Sequence, residues 1–173
     1  MKSMNGILGT IIIALCIALL GAGCKKDEGG KDEVGTGPGG TADYGSFTIN
    51  GAGYTNKQVT LVYVSGGLYS GETSIVGAGL SGADTVTFGL TFKGSSTGTR
   101  TWSDTTFASV QVHTGSGTRY FISLDGRGTT SISSYGNVGG TIVGTFSGQL
   151  IDLSLVTDTI TVSNGSFSAI RTQ

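Results

Sequence analysis

Between Asp84 and Lys93 the chain reads Asp-Thr-Val-Thr-Phe-Gly-Leu-Thr-Phe-Lys. A period of two puts Val86, Phe88, Leu90 and Phe92 on one face and Thr85, Thr87, Thr91 and Lys93 on the other, the pattern of a half-buried strand. The same alternation marks 46–50 (Phe47, Ile49 inward), 119–125 (Tyr120, Ile122, Leu124 inward), 141–150 (Ile142, Phe146, Leu150 inward) and 159–163 (Ile160, Val162 inward). Residues 59–64 are apolar on both faces, which predicts a central strand covered on both sides. Turn formers separate these runs: Asn50-Gly51, Gly66-Gly67, Ser81-Gly82, Gly115-Ser116-Gly117, Asp125-Gly126, Gly139-Gly140 and Asn164-Gly165. Their spacing of roughly 8 to 12 residues predicts an all-β domain, either an antiparallel β-sandwich or a small up-and-down barrel. After Asn164-Gly165 the inward parity passes from Ile160 and Val162 to Phe167 and Ala169, so a bulge or turn is expected there. The 32 glycines and single proline agree with strands and tight turns, and no segment sustains the 3.6-residue apolar period of a helix.

The first 24 residues read as an address. Lys2 supplies a positive start, residues 7–20 an apolar stretch, and Gly21-Ala22-Gly23 small residues before Cys24, which is the order of a secretory signal. A run of about 14 residues is shorter than the roughly 20 that span a bilayer as a helix. Leu19-Leu20-Gly21-Ala22-Gly23-Cys24 resembles a bacterial lipobox, with Leu20 one place earlier than the usual position. The resemblance implies cleavage before Cys24 and lipidation, including palmitate, of its thiol and new amino terminus. Residues 1–23 are therefore expected to be a lipoprotein signal peptide, and removing them leaves a mature chain of a size that makes one core.

Residues 24–43 are expected to be the lipidated cysteine and a tether. Only Val34 among them is an aliphatic side chain of any size and none is aromatic, so the segment cannot bury enough surface to fold. A Gly-rich coil of that length reaches about 25 Å. Within it, Lys26-Asp27-Glu28 resembles the Lys-plus-acids tag of surface-exported Bacteroidetes lipoproteins, making those three residues the export-signal candidate. Both cysteines, Cys16 and Cys24, precede the folded part, so the 44–173 domain has no disulfide. From Tyr44 onward six basic residues (Lys57, Lys93, Arg100, Arg119, Arg127, Arg171) balance six acidic ones (Glu72, Asp84, Asp104, Asp125, Asp152, Asp158), which gives no attraction toward nucleic acid.

Towards the C-terminus, Gly140-Thr141-Ile142-Val143-Gly144-Thr145-Phe146-Ser147-Gly148 and Ile160-Thr161-Val162-Ser163-Asn164-Gly165-Ser166-Phe167 resemble the closing strands of a family of uncharacterised Bacteroidetes lipoproteins. The likeness covers roughly 98–171, with Gly98-Thr99-Arg100-Thr101-Trp102 as its first recognisable turn. It implies an extracytoplasmic all-β domain and brings no active site. Asp84-Thr85-Val86, Asp104-Thr105-Thr106 and Asp158-Thr159-Ile160 resemble the O-glycosylation signal of the same bacteria, which makes Thr85, Thr105 and Thr159 candidate acceptors.

Candidate chemistry is sparse. His113, the only histidine, shares a face with Ser109 and Gln111 opposite Val110 and Val112, so it is expected to face solvent rather than join a triad or a metal site. The six acids lie singly at loops and strand ends, where Asp is usually a turn residue, although two could face each other as a glycosidase pair. Trp102, Tyr54, Tyr69, Tyr135 and an outward Phe121 are candidates for a glycan-stacking platform, against the alternative that they pack in the core. The expected protein is a membrane-anchored, outer-membrane lipoprotein at the cell surface or periplasmic face. Its β domain is expected to be non-catalytic, without cofactor or metal, acting in binding, adhesion or envelope structure with a glycan or surface protein as partner. The alternative is a carbohydrate-active protein.

Overall fold

A computed structural model describes residues 44–173, which form nine strands and no helix. In chain order they are β1 (Gly45–Gly51), β2 (Tyr54–Tyr69), β3 (Glu72–Ser81), β4 (Asp84–Lys93), β5 (Gly98–Thr101), β6 (Thr106–Thr114), β7 (Gly117–Tyr135), β8 (Thr141–Asp152) and β9 (Thr159–Arg171). Strands β1, β2, β3, β4, β6, β7, β8 and β9 pair antiparallel in chain order, and β9 returns to β1, so the meander closes into an eight-stranded barrel. Of the two architectures the alternation allowed, it is the up-and-down barrel. β5 is the extra strand, paired with the C-terminal half of β7 through Gly98↔Ile132 to Thr101↔Thr129. Closure leaves the ring without free edges, so nearly every ladder group finds a partner inside the chain.

The inward residues fill the barrel with rings. Phe88 and Phe146 stack almost parallel with centroids 5.3 Å apart, Phe47 meets both at 5.5 to 6.0 Å, and Phe167 meets Phe88 and Phe146 at 6.3 to 6.4 Å. Glycines opposite them make the room: a Cβ on Gly77 would collide with the Phe88 ring. Farther along the lumen Trp102, fully buried, lies over Gly128 and Gly148 and donates its indole N–H to Thr130 Oγ1 at 3.0 Å. An eight-stranded barrel is just wide enough for side chains to fill, and this one is filled.

Bulges decide which residues point inward. Asn164, in the left-handed region at φ 53°, is a bulge inside the continuous β9, and Phe167 and Ala169 are inward beyond it as the parity change predicts. Val62 is skipped in the β2–β3 register, so Val62 and Tyr63 both face outward and are about half exposed; the expected two-sided burial of 59–64 is wrong. The expected inward set of 119–125 is also wrong. Phe121 pairs with inward Val110 and is buried, whereas Tyr120, Ile122 and Leu124 are only partly covered. Gly66-Gly67 and Asp125-Gly126 are not turns but lie within β2 and β7, and the turn expected at 98–102 is β5 running into buried Trp102. The β2–β3 turn instead uses Ser70-Gly71, both at positive φ, as a two-residue hairpin of the I′ kind requires.

The meander gives the barrel two distinct ends. Turns 52–53, 82–83 and 115–116 and the loop 153–158 sit at one, called here the far end. The other, the entry end, carries the β2–β3 turn, the 94–97 loop and the β7–β8 turn, and β1 starts short of it on the wall, where the Tyr44 carbonyl accepts from Ser168 N–H.

Candidate functional site

The densest polar chemistry lies at the far end and is organised by Arg119, the third residue of β7. Its Nε donates to Asp152 Oδ2 at 2.8 Å, its NH2 group to Asp158 Oδ2 at 2.7 Å, and its NH1 group to the Ala52 carbonyl at 2.6 Å. One guanidinium thereby ties the β1–β2 turn to both ends of the β8–β9 loop. The Arg119 cation also lies 5.1 Å from the Phe121 ring centroid and 6.0 Å from that of Tyr54. Lys57 approaches the Tyr54 ring at 5.7 Å and holds Asp84 at 2.6 Å.

Asp152 is 1 % exposed. Burial alone would raise its pKa, yet the N–H groups of Ser154 and Leu155 and the Arg119 guanidinium outweigh it and hold the carboxyl below its ordinary value. Burial likewise disfavours the Arg119 charge, and the two carboxylates more than restore it, raising its pKa. The Tyr54 phenol is raised by burial against the opposing pull of Arg119 and Lys57. A shallow cleft of about 380 Å³ opens beside this cluster, lined by Gly53, Tyr54, Thr114, Ser116, Thr118 and Arg119.

This is the geometry of a brace. A glycosidase pair needs one carboxyl with a raised pKa and free to give its proton. Asp152 and Asp158 are the acids that come together, and both are spent on Arg119, with Asp152 shifted in the opposite direction. His113 lies on the outer wall, its Nδ1 bonded to Thr118 Oγ1 at 2.9 Å. Among the described residues no group of three His, Cys, Asp or Glu side chains is placed to hold a metal, and no helix is long and apolar enough to cross a membrane.

The glycan-stacking platform does not assemble. Trp102 and Phe121 are both completely buried in the core. Tyr54 is half-buried, with two cations against its ring. Tyr69 is exposed but ends the strand that Tyr54 begins, so the two lie at opposite ends of the barrel. Tyr135 bonds Thr73 through its hydroxyl at 2.7 Å beneath the Arg171 guanidinium. The acceptor candidates Thr85, Thr105 and Thr159 are all exposed; of the acids that precede them, Asp84 is paired with Lys57 and Asp158 with Arg119. Cys24, Lys26, Asp27 and Glu28 lie outside the described residues.

Sequence reasoning missed Arg119. Its partners are 33, 39 and 67 residues away, a separation that no local motif announces. No protein-family model, curated protein or solved structure matches this chain.

Proposed function

We propose that the chain is an exported lipoprotein of the outer membrane, cut before Cys24 and anchored by acyl chains there, whose barrel is a non-catalytic module for binding, adhesion or envelope structure. The observation that carries this reading is the succession of Lys2, the apolar stretch 7–20, Gly21-Ala22-Gly23 and Cys24, followed at once by Lys25, Lys26, Asp27 and Glu28. It is an order that suits a processed, lipid-carrying amino terminus and little else. The packed lumen supports placing recognition on the outside of the barrel, because Phe47, Phe88, Phe146, Phe167 and Trp102 occupy the space a small ligand would need. A clamped far end supports binding rather than turnover, since its carboxylates are committed to holding loops.

Lys26-Asp27-Glu28 adds an address: the domain stands on the outer face of the outer membrane. Antibody against the barrel should label intact cells carrying the wild type. The Lys26→Ala/Asp27→Ala/Glu28→Ala variant should remain lipidated and lose that labelling. Equal labelling of both contradicts the export-tag reading, and labelling of neither contradicts the surface assignment.

A further inference from the structure

Among the described residues nine large apolar side chains are exposed, and five of them lie between the place where the chain enters the barrel and the rim of the entry end. β1 starts late, so beyond it the seam is closed by β2 pairing directly with β9, parallel, at Ser65↔Ile170 and Gly66↔Arg171. Val62, Tyr63 and Tyr69 stand on the β2 side of this seam and Ile170 on the β9 side. Val138 tops the β7–β8 turn, which is bound to the seam by Gly139 N–H to the Arg171 carbonyl, and Leu68 N–H reaches the Gln173 carbonyl beside Tyr69. The side-chain charges of this end are Glu72, Lys93, Arg100, Asp104 and Arg171, three positive against two negative. The remaining exposed aliphatics, Leu80, Leu153, Leu155 and Val156, belong to the far end.

We propose that this seam and rim form a membrane-resting face: the barrel lies on the lipid surface that carries its own anchor, with Tyr63, Tyr69, Val138 and Ile170 in the headgroup region and the far end turned away. The inference rests on lipidation of Cys24. It commits to lipid because Tyr44 emerges beside this patch and only 20 residues in sequence separate it from Cys24, so the anchor keeps this face within reach of the bilayer. The chemistry agrees. Tyrosine favours the membrane interface, where its ring is apolar and its hydroxyl wet.

The domain has no cysteine of its own, and Cys24 is consumed by lipid, so an introduced thiol can be labelled alone. Full-length processed lipoprotein bearing Val138→Cys, or Ser116→Cys at the far end, is coupled to an environment-sensitive dye and reconstituted in phosphatidylethanolamine–phosphatidylglycerol vesicles containing nitroxide lipid. The dye at 138 should shift to the blue and lose most of its emission to the nitroxide, while the dye at 116 should do neither. Adding Tyr69→Asp and Ile170→Asp should abolish the response at 138 while the protein still floats with the vesicles. Equal responses at both sites overturn the proposal. A blue shift at 138 without nitroxide quenching also overturns it, since another protein surface would then be the cover. If the protein carries no lipid by mass, the anchor reading fails and this inference with it; if lipid is present and the dyes respond alike, only the membrane-resting face fails.

Discussion

Replacing Arg119 with Met keeps much of the side chain's volume and removes the charge on which the far end depends. Asp152, 1 % exposed, would keep its bonds from Ser154 and Leu155 N–H but lose its cation, and Asp158 and the Ala52 carbonyl would lose their donor. Breaking a buried pair from one side costs about 3–5 kcal/mol, because the remaining charge is stranded. For a domain of this size that lowers Tm by about 10–20 °C. Asp152→Asn should cost less, about 1–2 kcal/mol, since the amide oxygen still accepts from both loop N–H groups. The double variant should be less destabilised than the sum of the singles by about 1–3 kcal/mol. The pH dependence has a definite sign. The folded-state pKa of Asp152 is depressed, so its contribution is present above the unfolded value of about 4 and is lost as pH falls through the folded value. The Arg119→Met deficit should therefore be full at neutral pH and narrow toward pH ~3. Urea unfolding of the Cys24→Ser mature chain and its variants at both pH values measures all of this. A deficit for Arg119→Met below about 1 kcal/mol at neutral pH, or strict additivity in the cycle, would refute the brace.

Trp102→Ala should destabilise by about 3–5 kcal/mol for the cavity alone, and more if the Thr130 hydroxyl is left without a partner. Thermal melting of that variant within about 1 kcal/mol of wild type would show that the indole does not fill the lumen. The exposed hydroxyls of Thr85, Thr105 and Thr159 are expected to carry glycan in the native host; intact-mass analysis should show added mass that falls stepwise as each is changed to Val, and an unmodified native mass removes the idea.

Much of the fold was legible because strand alternation reports burial directly. Val86 to Phe92, Ile160 and Val162, and the parity change at Asn164 all read correctly, and together they predict an antiparallel all-β domain. The errors fall where backbone irregularity overrides a local count. At 119–125 three apolar residues outvote Phe121, but the cross-strand partner Val110 turns Phe121 inward, and that partner is invisible along the chain. At 59–64 the bulge at Val62 presents two apolar residues to the outside in succession, which in sequence is indistinguishable from a strand buried on both faces. Trp102 stays open in the sequence between a stacking aromatic and a core residue because its accommodating glycines, Gly128 and Gly148, are 26 and 46 residues away. The Arg119 brace has the same character: it is made only when the barrel closes.

Everything proposed about this protein's place in the cell depends on one covalent event at Cys24. Cells grown with labelled palmitate test it most directly, comparing wild type with Cys24→Ser and following the mature domain by immunoprecipitation. The wild type should be labelled and of signal-cleaved mass, and the variant should carry no label at all. Label retained by Cys24→Ser, or a wild type that is cut elsewhere and carries none, would contradict it.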